Sequence, residues 1–141
     1  MGRKHRALPR SAVAFLIAAA VRVLGPCARS EVAPSYSVTV HLSNFAFTPD
    51  HLTLRADSPV RLHLVNDSRG GHNFSAPALF AASTFPNGAP PPEGKVDVRS
   101  GQAVDVVFVP RAPGIYKVRC THFLHTPFGM TGSVVVEGPS R

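Results

Sequence analysis

The sequence is poor in sulfur and in acidic side chains. Its 141 residues include two Cys and two Met, and one of the two Met is the initiator. None of the eight Asp and Glu residues lies among the first thirty residues, which carry six of the fifteen Lys and Arg residues. The rest of the chain therefore carries nine basic and eight acidic side chains. The high sequence pI of about 10.5 belongs mostly to the first thirty residues, so it gives no reason to expect a nucleic-acid partner.

The sequence also lacks an apolar run long enough to span a membrane readily, and it lacks a nucleotide-binding glycine pattern. The apolar run at residues 11–21 falls short of the roughly 20 residues that a spanning helix needs. Gly70-Gly71 is not followed by a helical pattern, which excludes a dinucleotide-binding turn. No convincing helical period appears after residue 30. The length of the chain fits one domain with a core large enough to fold alone.

The first thirty residues have the form of a secretory signal peptide, because a basic start precedes the apolar run. The favoured cut follows Ser30, and a cut after Ala20 is second. Lipoprotein processing at Cys27 is disfavoured because a proline precedes it. A retained membrane anchor is the alternative. We therefore expect a signal peptide over residues 1–30 and a mature domain over 31–141 in the bacterial periplasm, with no membrane span in the mature form.

Short segments of alternating apolar and polar side chains follow the signal. Residues 36–42 and 60–66 each place apolar side chains on one face, as half-buried strands do. Residues 75–94, rich in Ala and Pro, predict a long irregular connection over one end of the domain, with a helical turn around 78–83. We call this connection the excursion. Further strands are expected at 51–54, 95–98, 104–109, 114–120 and 133–137, and the second and third of these are expected to form a hairpin. Seven or eight such strands predict an all-β fold, a Greek-key β-sandwich.

The few sulfur atoms of the domain are concentrated with histidines in residues 120–130. Cys120, His125 and Met130 are spaced so that one loop can present three side chains to a metal ion, and this soft ligand set suits copper. His72, which follows the flexible Gly70-Gly71 turn, is the predicted fourth ligand. In the mature chain Cys120 has no second Cys to pair with, so it is inert, reactive or metal-bound.

Each of these residues also has an ordinary structural interpretation. Alone, Cys120 fits a buried thiol, Met130 a core residue and His72 a turn cap. The order and spacing of the whole set favour a metal site. The other histidines of the domain are interpreted as structural or surface residues: His41, His51, His63 and His122.

From about residue 36 to residue 137 the chain resembles the cupredoxins, the blue copper proteins that include plastocyanin, azurin and pseudoazurin. The resemblance rests on Phe45-Ala46-Phe47-Thr48-Pro49, the turn from Asn66 to His72-Asn73, Gly114-Ile115-Tyr116 and the loop of residues 120–130. It implies one copper ion with His72, Cys120 and His125 as near-equatorial ligands and Met130 as a weak axial ligand.

The same resemblance implies how the site is supported and how it meets a partner. Asn73 and Thr121 are expected to tie the two ligand loops together, and a backbone N–H near Asn73 is expected to donate to the thiolate. Apolar residues around His125 would form the surface on which transient redox partners dock: Leu124, Pro127 and Phe128.

The resemblance implies a monomeric electron carrier that cycles Cu(I) and Cu(II) and is not an enzyme. The alternative is a periplasmic copper carrier or buffer that uses the same ligands. Nitrite or oxygen reduction lacks a second copper set, since Thr121 stands where multicopper oxidases have a histidine. A binuclear copper site would need a second Cys at position 124, which is Leu.

Overall fold

The computed structural model describes Gly2 and residues 30–122 and 130–139, and these residues form ten strands and one short helix. The strands are β1 (Tyr36–Ser43), β2 (Ala46–Thr48), β3 (His51–Arg55), β4 (Val60–Asn66), β5 (His72–Ser75), β6 (Ser83–Thr84), β7 (Lys95–Val98), β8 (Ala103–Pro110), β9 (Gly114–Arg119) and β10 (Thr131–Glu137). Helix α1 (Pro77–Ala81) and a 3₁₀ turn (Pro92–Gly94) belong to the excursion between β5 and β7. Within these residues no helix is long and apolar enough to cross a membrane.

The strands form two five-stranded sheets that pack face to face. Sheet I has the order β2-β1-β4-β8-β6, and sheet II has the order β3-β10-β9-β5-β7. Two of the pairings, β1 with β4 and β3 with β10, are parallel, and the others are antiparallel. The predicted all-β sandwich is thereby confirmed.

The core lies between the sheets and follows the alternation seen in the sequence. On β1, Val40 and Leu42 are buried while Thr39 and His41 are exposed. Aromatic rings fill the space beside the strands. Phe108 packs its ring at 82° to that of Phe80, with centroids 5.4 Å apart, an edge-to-face contact.

One expected pairing is wrong. Strands β7 and β8 do not form a hairpin, because β7 pairs with β5 in sheet II and β8 pairs with β4 in sheet I. The turn of residues 99–102 therefore carries the chain from one sheet to the other. A short Ser-Gly turn fits either connection, and burial of Val96 and Val98 on the inner face of sheet II decides between them.

The last strand, β10, lies inside sheet II between β3 and β9. At its start the Ser133 N–H donates to the Asp50 carbonyl oxygen at 2.8 Å. Gly132 is required for this approach, because a Cβ at that position would overlap the same oxygen. The close contact fixes the strand that directly follows Met130.

Candidate metal centre

Two of the four predicted ligands meet in the interior at one end of sheet II. His72 begins β5 and is 2% exposed, and Cys120 follows β9 and is fully buried. The Cys120 Sγ lies 4.0 Å from Nδ1 of His72, although the two residues are 48 positions apart. Folding of the sandwich thus brings together two side chains that are far apart in the sequence.

Met130 joins this arrangement through the backbone. Its side chain is fully buried, and its carbonyl oxygen accepts a hydrogen bond of 3.1 Å from the Cys120 N–H. The bond continues the antiparallel ladder of β9 and β10, in which Arg119 pairs with Thr131. The two ends of the predicted metal loop are therefore held side by side.

The donor atoms fit a single soft metal ion. Thiolate sulfur and imidazole nitrogen lie about 2.3 Å and 2.0 Å from a bound metal such as zinc, so atoms 4.0 Å apart are close enough to share one ion. A thiolate, an imidazole and a thioether favour copper over magnesium or calcium. The residues present therefore fit the metal that the sequence predicts.

The sulfur of Cys120 also receives a backbone hydrogen bond. The N–H of Asn73 points at Sγ at 3.5 Å, within the range of bonds to sulfur. A donor at this position would withdraw charge from a metal-bound sulfur, which is how surrounding groups tune a metal thiolate. The predicted support of the thiolate by a backbone group near Asn73 is confirmed.

The side chains of Asn73 and Thr121 bind the two ligand segments together. Asn73 Nδ2 donates to Thr121 Oγ1 at 2.9 Å, and the Thr121 N–H donates to Asn73 Oδ1 at 2.9 Å. Asn73 is 2% exposed, so its amide has few chances to bond water instead. The predicted link between the two segments is confirmed.

Removal of this link should destabilise the copper-free protein in two steps. Thr121→Val removes one hydrogen bond and is expected to lower the free energy of unfolding by about 1 kcal/mol. Asn73→Ala removes both hydrogen bonds, so we expect a loss of about 2 kcal/mol. Urea unfolding followed by circular dichroism measures both values. Equal losses in the two variants would contradict the role given to the Asn73 carbonyl.

Asn66 supports the same end of the sandwich. It is 1% exposed, and its Nδ2 donates to the carbonyl oxygens of Gly70 and Val98 at 2.8 and 2.9 Å. Its Oδ1 accepts a hydrogen bond from the Ser68 N–H at 2.9 Å. This amide fixes the turn that leads into His72. The sequence placed Asn66 at the end of a strand but did not predict this role, although Asn is a common turn residue because its side chain bonds the backbone two residues on.

The remaining histidines divide into three groups. His125, with the apolar residues predicted around it, lies outside the described residues, so its ligand role stays a prediction. His122 is exposed, and its Cε1 lies 3.7 Å from the position that a Cβ on Gly71 would occupy. Three histidines on the outer faces of strands contact polar neighbours instead: His41 with Asp67, His51 with Ser133 and His63 with Asp105.

A two-sheet sandwich that buries Cys, His and Met side chains at one end defines a class of small metal-binding β-proteins. The family model of the cupredoxin-like domain matches residues 12–136. The chain belongs to the cupredoxin-like family. This match begins within the predicted signal peptide, and the boundary at residue 30 stays a prediction.

Solved structures agree with this fold. Auracyanin B superimposes with a TM-score of 0.60 at 27% identity, over 76% of this chain and 92% of auracyanin B. Dithionite-reduced auracyanin from the photosynthetic bacterium Roseiflexus castenholzii gives 0.57 at 19% identity, over 74% of this chain and 99% of that protein. A multicopper oxidase from Campylobacter jejuni gives 0.59 at 14% identity and is covered over only 31% of its length. The search of curated proteins gives no match.

Proposed function

We propose that this protein is a blue copper protein that carries single electrons. The observation that carries the proposal is the buried Cys120 sulfur, which lies 4.0 Å from His72 Nδ1 and accepts a hydrogen bond from the Asn73 N–H. The similarity to auracyanins supports the same class. The ligands would be His72, Cys120, His125 and Met130.

Copper would supply the one-electron couple, and the protein would supply a site that changes little when the electron moves. His72 and Cys120 are held by paired strands and by the Asn73–Thr121 link. Met130 is anchored between Cys120 and the start of β10. Buried side chains on a fixed backbone would hold the metal with little change of position between its two oxidation states. The protein then performs no bond chemistry of its own.

We further propose that the chain acts as a monomer in the bacterial periplasm after cleavage near residue 30. Redox partners would dock transiently around His125, where predicted apolar neighbours surround the ring. The basic start and apolar run of the first thirty residues support export. A small, weakly bound interface suits a carrier that must leave its partner after each transfer.

The proposal is tested by adding Cu(II) to the purified copper-free protein and recording visible absorption and EPR spectra. We expect an intense blue or green absorption that saturates at one copper ion per chain, because a copper thiolate in a trigonal site absorbs strongly. A colourless complex with the EPR signal of copper bound by nitrogen and oxygen alone would contradict it.

A copper carrier or buffer remains the second candidate. His122 favours it, since an exposed imidazole beside Gly71 lies close to the turn that presents His72. The two functions predict different rates of electron self-exchange and of Cu(I) transfer to an acceptor. Slow electron self-exchange together with fast transfer of Cu(I) to an acceptor would favour the carrier over the electron-transfer protein.

A further inference from the structure

The outer face of strands β9 and β10 carries an unusual set of side chains. On β9 the outward residues are Ile115, Lys117 and Arg119, and all three are exposed. They pair across the sheet with Val135, Ser133 and Thr131 of β10. Ile115 is 76% exposed, the highest value among the exposed large hydrophobic residues of the described chain. We call this surface the β9 face.

The β9 face is concave where it meets helix α1. A cavity of about 830 Å³ lies between Pro77 and Ala78 of the helix and residues 115–119 of the strand, and Thr131 and Gly132 border it. Its wall is therefore formed by an apolar helix start on one side and a strand with basic side chains on the other. A protruding side chain of a partner has room to enter it.

The charge of this cavity has one sign. Lys117 and Arg119 are the only charged residues that line it, and neither forms an ion pair with any residue in the described part of the chain. The chain as a whole is close to neutral after residue 30, so this is a local concentration. Unpaired cations beside an exposed isoleucine form a surface that complements an acidic one.

A second cavity on the same molecule has the opposite character. It measures about 760 Å³, lies under the proline-rich part of the excursion, and carries Glu93, Asp97 and Asp105 against one cation, Lys95. Lys95 is also 3.8 Å from Glu93 and is partly neutralised by it. The two cavities differ in the sign of the charge that lines them, so the cationic lining is a property of the β9 face and not of the whole surface.

The β9 face adjoins the proposed metal centre along the chain. Arg119 precedes Cys120 in the chain and Thr131 follows Met130, so two residues of the face are bonded to two proposed ligands. Only this connection depends on the proposed copper site. Binding to the face itself depends on charge and shape alone.

We propose that the β9 face is a docking surface for an acidic protein partner. Its cations would attract and orient that partner, and Ile115 with the cavity would supply the apolar contact that holds it. Its residues are other than those predicted to surround His125.

The test uses poly-L-glutamate as the probe and the ¹⁵N-labelled protein as it is processed and isolated from cells. Amide chemical shifts are followed during the titration, with poly-L-lysine as a parallel probe. We expect poly-L-glutamate to move the amides of residues 115–119 and 131–133 and poly-L-lysine to leave them unchanged. Added salt should weaken the effect, because the contacts are exposed charges.

Two variants with equal change in net charge give the matched comparison. Lys117→Glu lies on the β9 face, and Arg61→Glu lies on the outer face of sheet I, where Arg61 is also exposed. We expect Lys117→Glu to weaken poly-L-glutamate binding about tenfold and Arg61→Glu to change it less than about twofold. The neutral variant Lys117→Gln, which disturbs the fold least, should fall between them.

Equal weakening by Lys117→Glu and Arg61→Glu would overturn the proposal, because it would show attraction by net charge alone. Shifts confined to other residues, or no binding, would also overturn it. None of these results affects the copper proposal, since the titration involves no electron transfer and can be done on the copper-free protein.

Discussion

Cys120→Ser is expected to abolish the intense visible absorption of the Cu(II)-loaded protein. The absorption requires a thiolate bound to copper, and Cys120 carries the one thiol that the described structure places beside His72. Serine is similar in size, so the sandwich should remain folded. Visible absorption and far-ultraviolet circular dichroism, recorded on the same sample, measure the two effects separately.

The second cysteine of the sequence provides the control. Cys27 lies in the predicted signal peptide, so Cys27→Ser should leave the copper absorption unchanged in whatever protein is recovered. An unaltered band in Cys120→Ser, or a band lost in Cys27→Ser, would contradict the assigned ligand set. Loss of the folded state in Cys120→Ser would instead assign the thiol a structural role in the core.

Phe108→Ala should have the largest effect on stability. Phe108 is fully buried in β8, and its ring contacts Phe80 and Phe85 with centroids 5.4 and 6.0 Å away. Truncation removes these contacts and leaves a cavity, so we expect a loss of about 3 to 5 kcal/mol in the free energy of unfolding. Urea unfolding of the copper-free protein measures it.

Ile115→Ala is the matched control for this prediction. The isoleucine is 76% exposed on a strand of the other sheet, so its truncation should change stability by no more than about 0.5 kcal/mol. Similar losses in the two variants would show that the aromatic cluster is not the main support of the fold. Copper absorption of the folded Phe108→Ala protein should be unchanged, because β8 belongs to sheet I, whereas the proposed ligands His72, Cys120 and Met130 lie in or next to strands of sheet II.

Strand positions and inward faces could be predicted because one face of each strand is buried. The period of two in β1 and β4 follows directly from that burial. The same period of two holds at the end of β9, where Val118 and Cys120 are buried and Arg119 between them is exposed. Ligand order and spacing then identified His72 and Cys120 as partners, which the structure places 4.0 Å apart.

Connections between strands could not be predicted in the same way. Whether β8 continues the sheet of β7 or crosses to the other sheet depends on contacts with distant strands, which local pattern does not contain. The two-residue strand β6 is also too short to show a period. It exists because it pairs with the end of β8.

Of the residues that surround the proposed ligands, only those directly next to a ligand in the sequence were predicted. The link between Asn73 and Thr121 was implied by the resemblance to the cupredoxins, and their reciprocal hydrogen bonds confirm it. The buried amide of Asn66 and the charge of the two cavities depend on residues from several strands. These become visible only when the chain is folded.

The interior position of β10 has a consequence for the order in which parts of the domain fold. His51 of β3 bonds Ser133 of β10, 82 residues later, and β10 also pairs with β9. Contacts this distant in sequence form late, because a long stretch of chain must be ordered before they do. Sheet II cannot close until the C-terminal strand has emerged. The proposed metal site, whose residue Met130 precedes that strand, is therefore assembled last, and a copper ion would meet a finished site only after the whole domain has folded.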